Sequence, residues 1–151
     1  MAFISVSGDP GCRPDELARL AARKFECVLV TESSLSEMIA REFGAAPAIA
    51  DRAWPHLATS IIARLGLEKH IVISAGGSEL LFRRFPAVLR VKVVASDARR
   101  IGDLMVDHQL DRAEAKVEAK QRLQEDLEAR KRRFGRAGSR AERFDLMLNT
   151  E

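Results

Sequence analysis

The sequence predicts an α/β protein with a parallel sheet of about five strands, helices on both faces, and one long charged helix placed like a lid. Three observations carry that prediction. Short β-branched runs alternate with segments of helical period along the whole chain, the pattern of a parallel sheet flanked by helices. Two of these runs, His70-Ile71-Val72-Ile73 and Val88 to Val94, read as central strands buried on both faces. The first strand breaks at a glycine-bearing loop that opens a helix, and ligands in such sheets bind at the carboxyl ends of the strands.

Taken in order, Phe3 to Ser7 reads as a strand that stops at Gly8-Asp9-Pro10-Gly11. Pro14 to Lys24 has apolar residues at helical spacing (Leu17, Leu20, Ala21), with proline at the start, where its missing N–H costs nothing. Cys27 to Val30 reads as a second buried strand, and Ser33-Ser34 as the cap of a helix through Phe43 that stops at Gly44. Residues 44–51 read as loop. Trp54 to Leu65 returns to helical period and ends at Gly66. Ser96-Asp97 caps a helix to about Val106, and Asp111 to Arg133 is a long charged helix with a thin apolar line of Ala115, Val117, Leu123 and Leu127. Phe144 to Leu148 closes the series as a last strand. No repeat or low-complexity linker divides the chain, so residues 1–151 read as a single domain.

Composition bounds the function classes. The chain has 151 residues and a net charge of +3, which permits contact with phosphate but does not call for nucleic acid. Two cysteines, Cys12 and Cys27, do not make a secreted disulfide framework. The N-terminus has no basic segment ahead of an apolar one, and no stretch approaches a membrane span. A reducing, cytoplasmic setting is the expectation. His56, His70 and His108 lie far apart without ligand spacing, so no metal site is expected.

The most informative segment is Ser7-Gly8-Asp9-Pro10-Gly11-Cys12-Arg13-Pro14-Asp15-Glu16. It stands where a phosphate-binding loop belongs. Such a loop uses glycines to converge backbone N–H groups on phosphate, a lysine on the outer phosphates and a hydroxyl on magnesium. Aligned from Gly8, the chain has Arg13 at the second glycine, Pro14 at the lysine and Asp15 at the hydroxyl. Proline also deletes an N–H donor. One reading is a helix N-terminus whose dipole is satisfied by its own acids. The other keeps Gly8, Gly11, Cys12 and Arg13 as ligand-binding residues, with Arg13 supplying the missing cation.

Several segments together resemble the cytidylate kinase-like family of P-loop nucleoside monophosphate kinases. Its first loop is similar to S-R-x-x-G-S-G-G-x-x-I-A; Gly11 and Leu17-Ala18 fit, while Arg13 and Pro14 replace later glycines. Phe25 to Thr31 followed by Leu35 to Ala40 looks like its second strand and helix. Ile71-Val72-Ile73-Ser74-Ala75-Gly76-Gly77-Ser78 resembles a V-I-V-G-R-G-A-N stretch, Phe85 to Ala95 the next strand, and Arg100 an arginine of the helix after it. Phe144 to Thr150 resembles the last strand. Departures accompany the likeness. Ala75 stands in place of an arginine that would contact substrate, Arg122 and Asp126 are the nearest match to a D-R-x-R lid cluster, and residues 44–53 are short for a monophosphate-binding insertion.

The resemblance implies ATP and magnesium as cofactors if the chain is an active kinase, with Arg13, Asp15 and Arg100 as candidate catalytic residues. Arg122, Arg130, Lys131, Arg132 and Arg133 are then the candidate lid cations. With Arg136, Arg140 and Arg143 the last four form the one basic cluster, which also reads as a solvated helix end. The favoured reading is a degenerate, non-catalytic module that binds a nucleotide, an anion or a protein partner. The alternatives are an active CMP-type kinase, or a structural, oligomeric or nucleic-acid-contacting protein. Residues 111–135 are the candidate surface for a protein partner or a second copy, and nucleic acid is not the expected partner.

Overall fold

Parallel strands built from these runs form one sheet. The computed structural model describes residues 2–44, 49–135 and 143–151. Its elements are β1 (Phe3–Gly8), α1 (Pro14–Lys24), β2 (Val28–Thr31), α2 (Glu32–Phe43), α3 (Trp54–Glu68), β3 (Ile71–Ser74), α4 (Ser78–Leu81), β4 (Val88–Val94), α5 (Asp97–His108), α6 (Arg112–Phe134) and β5 (Leu146–Asn149). The strands run in the order β2-β3-β1-β4-β5, all parallel. The order turns around at β1, which pairs Ile4 with Val72 on one side and Leu89 on the other. A crevice opens at such a turning point, beyond the carboxyl ends of the strands.

Alternation along β1 sends Ile4 and Val6 to one face and Phe3, Ser5 and Ser7 to the other. On the first face α1 covers a core of Val6, Ala18, Ala22, Val72, Val91 and Val93. On the second, α2 and α3 bury Val30, Leu35, Ile39, Ile61, Ile62, Ile71 and Ile73. Leu35 and Ile62 are fully enclosed, and each such side chain contributes about 1.5–3 kcal/mol. A third, smaller cluster of Leu104, Ala115 and Ala119 joins α5 to α6.

Several expectations are corrected in detail. The cap of α2 is Thr31: its hydroxyl accepts from Ser34 N at 3.2 Å while Ser34 Oγ accepts from Thr31 N at 2.9 Å. Serine at the third helical position completes a reciprocal cap, so Ser33 and Ser34 lie inside the helix. The α3 helix continues through Gly66 to Glu68, because the missing Cβ there makes room for the Phe3 ring. The β2 strand lies at a sheet edge with only Val30 buried, and β4 exposes Leu89. On α6 Val117 faces solvent, while Ala115, Ala119 and Arg130 form the buried line. The short α4 was not anticipated. Residues 45–48 of the expected insertion, and Arg136 and Arg140, lie outside the described residues. No described helix is long and apolar enough to cross a membrane.

Candidate functional site

The cleft at the turning point has a volume of about 800 Å³. Its floor is the end of β1 with the loop Gly8 to Gly11, one wall is the start of α1, and the opposite wall is α6. Ser74, Ala75 and Gly76 close the side at the end of β3. The loop Gly8 to Gly11 therefore borders this cleft.

The loop is fixed by the start of α5. Gly11 has φ +86° and lies so close to Arg100 that an added Cβ would stand 2.4 Å from its carbonyl oxygen. Arg100 also donates from Nε to Pro10 O at 2.9 Å and from Nη1 to Asp97 at 3.1 Å. Its guanidinium thus braces the loop from behind, and it does not line the cleft. Cys12 is buried, and burial pushes its thiol pKa up, with Asp9 adding to the shift and Arg100 opposing it. A helix N-terminus can lower a thiol pKa, but here desolvation prevails.

Arg13 precedes the helix in left-handed backbone. Its guanidinium is held in a two-point bond by Asp107, at 3.0 and 2.6 Å, with Asp103 at 3.5 Å. This bond in turn holds the Asp107 carboxyl below its usual range. Asp15 accepts from Ser74 Oγ at 2.5 Å, tying α1 to the end of β3. So Arg13 and Asp15 both border the cleft, each already committed to a partner in the chain.

On the α6 wall, Arg122 pairs with Glu118 and Arg130 turns inward. Its side chain is 9% exposed, donates from Nε to Asp126 at 2.7 Å, and pairs with Glu79, whose side chain is fully buried. Burial opposes the charge on Arg130, but the two carboxylates outweigh it and hold the group protonated. Ser7 Oγ donates to the other Glu79 oxygen at 3.2 Å. The neighbours point elsewhere: Arg132 meets Asp51 at 3.1 Å, and Arg133 meets Glu32 at 2.8 Å while stacking on Trp54 at 4.0 Å. Lys131 is exposed and does not line the cleft. Of the four consecutive basic residues, Arg130 alone borders the cleft.

A family model described as cytidylate kinase-like matches residues 48–151. The chain belongs to the cytidylate kinase-like family. This cytidylate kinase-like chain is similar in structure to an uncharacterized protein from Eubacterium ventriosum ATCC 27560, at TM-score 0.81 and 13% identity, covering 99% of this chain and 88% of that one. A shikimate kinase from Bacteroides thetaiotaomicron matches at TM-score 0.55 and 16% identity, over 98% and 85% of the two chains. A gluconokinase from Sinorhizobium meliloti 1021 matches at TM-score 0.55 and 14% identity, over 98% and 82%. These likenesses establish a P-loop kinase-like three-layer fold. No curated protein matches.

Two features of this family member escaped the sequence. Glu79 is the buried counter-charge of Arg130 across 51 positions, and only the oddity of a glutamate inside an apolar stretch hinted at it. Arg19, one α1 turn beyond Asp15, borders the cleft. Among the described cleft arginines it is the one with no recorded hydrogen bond or ion pair. Ala75, at the position resembling a substrate-contacting arginine, is nearly buried and lines the cleft with a methyl group. Among the described residues no group of acids, histidines and cysteines has metal-site geometry.

Proposed function

We propose that this chain is a non-catalytic kinase-like domain whose cleft takes a small ligand or a partner's side chain without transferring phosphate. The observation that carries the reading is Arg13. It is the cation nearest the lost lysine position, and Asp107 and Asp103 occupy it. Pro14 beside it offers no N–H. The charge around the loop supports the same reading, since six carboxylates line the described cleft (Asp9, Asp15, Glu16, Glu32, Asp107, Asp126) against four arginines (Arg13, Arg19, Arg122, Arg130). The carboxylates of Asp9, Asp15 and Glu16 repel the phosphates of a bound triphosphate at this loop, and Asp15, in place of the hydroxyl, is engaged by Ser74.

Phosphoryl transfer is positioning and charge neutralisation, and one lost positioned donor costs about 10²–10³-fold in rate. The loop lysine, the loop hydroxyl and the arginine replaced by Ala75 are three such losses. The test incubates the protein with Mg-ATP and CMP and follows ADP formation, alongside thermal unfolding with and without Mg-ATP. The expected outcome is no turnover above the protein-free rate and no rise in melting temperature, because a ligand that binds the native state must raise it. Turnover that disappears in Arg13→Ala would sink the reading and restore an active kinase.

A further inference from the structure

Glu79 is the second residue of α4, beneath the cleft floor, and is 1% exposed. One carboxylate oxygen accepts from Ser7 Oγ and the other from Arg130. Asp126, one α6 turn before Arg130, accepts from its Nε on the cleft side. Ser7, Asp126 and Arg130 line the cleft, whereas Glu79 lies behind them. A guanidinium fork fits a carboxylate or a phosphate equally well in geometry. Burying two opposite charges is also an expensive way to hold a helix, since apolar residues of similar volume often do as well.

We infer that Arg130 is a masked anion-binding group. Asp126 takes up, on the cleft side, an N–H that would otherwise face a phosphate-type oxyanion, while Glu79 holds the guanidinium from behind and neutralises its charge. The inference rests on the reading of the cleft as a ligand site without phosphoryl transfer. Glu79 thereby acts as a specificity residue. Its fixed negative charge, a few ångströms from any anion seated on Ser7 and Arg130, sets the floor of the cleft against anions. The same arrangement recurs in the cleft where Asp107 covers Arg13.

Removing one unit charge a few ångströms away, at an effective dielectric near 20, changes anion affinity by at least about tenfold. The probe is inorganic pyrophosphate, with binding read by calorimetry and by the rise in melting temperature. Glu79→Gln and Asp126→Asn are compared with the unmodified chain and with Glu37→Gln, which removes the same charge from an exposed site on α2. The expected result is at least tenfold tighter pyrophosphate binding in Glu79→Gln and Asp126→Asn, no gain in Glu37→Gln, and loss of the gain when Arg130→Gln is added. Glu79→Gln leaves Arg130 short of its buried partner; where it does not fold, Asp126→Asn, on the cleft side of α6, carries the comparison. Folded variants that bind pyrophosphate no better than the unmodified chain would overturn the masking, as would a gain that survives Arg130→Gln. Neither result touches the proposed function, which fails only if the unmodified chain transfers phosphate.

Discussion

Gly66 offers a test in which helix propensity and packing make opposite predictions. It lies inside α3, where replacing glycine by alanine is worth about 1 kcal/mol in an isolated helix. A Cβ at this position would stand 1.9 Å from Phe3 Cζ and under 3 Å from both Cε atoms. The Phe3 ring cannot retreat freely, because its backbone is paired with Ile71 on one side and Val88 on the other. Its ring also packs against Phe82 at 6.2 Å. Overpacking of this kind costs about 1–3 kcal/mol, and a disturbed aromatic pair about 0.5–1.5 kcal/mol. Gly66→Ala should therefore destabilise by about 1–3 kcal/mol net. Phe3→Leu removes the clashing atoms, so in that background Gly66→Ala should stabilise by about 0.5–1 kcal/mol. Urea unfolding of the four proteins closes the cycle, read from midpoints at constant m. Stabilisation by Gly66→Ala in the unmodified chain, or a coupling near zero, would refute the packing argument.

Two further outcomes follow from the charges. Arg90 grips Asp145 through its side chain at 3.0 Å and through its backbone N–H at 2.8 Å, which holds the Asp145 carboxyl below its usual range. A depressed carboxyl contributes stability above its unfolded pKa of about 4 and loses it as the pH falls through the folded value. Asp145→Asn should cost about 0.5–1 kcal/mol near neutrality, discounted for its exposure. Its melting temperature should also fall less steeply in acid than that of the unmodified chain; parallel pH curves would contradict this. Cys12, buried and with its pKa raised, should react with a thiol reagent only as fast as the loop opens. Fast labelling of the native protein that vanishes in Cys12→Ser would contradict that.

Local signals located most of the framework. Pro14 and the apolar spacing after it marked the first helix, and Ser96, whose hydroxyl accepts from Arg99 N at 3.2 Å, marked the start of α5. These features act within four residues, which is the range a sequence displays directly. Gly66 misled because a glycine that ends a helix and one that admits a neighbouring ring look alike until the neighbour is known. The first loop was rightly located, but the fate of its charges was hidden. Arg13 meets Asp107 across 94 positions and Arg133 meets Glu32 across 101, and many acids along the chain could have filled either role. Sequence therefore pointed to Arg13, Arg122 and Arg130 among the cleft cations, but it missed Arg19 and did not show which of them are already engaged.

The single tryptophan gives the docking of α6 an optical signature. Trp54 opens α3, with Arg133 stacked on its face and the Phe134 ring edge-on at 6.3 Å. Both contacts come from the last turn of α6, the end of the helix that reaches across to the α3 side of the sheet. Departure of that turn would strip a cation and an aromatic ring from the indole and admit water. Its emission would then shift to the red and become open to quenching by acrylamide. The unlabelled chain thus reports, in ordinary fluorescence, whether the helix over its cleft is seated or lifted.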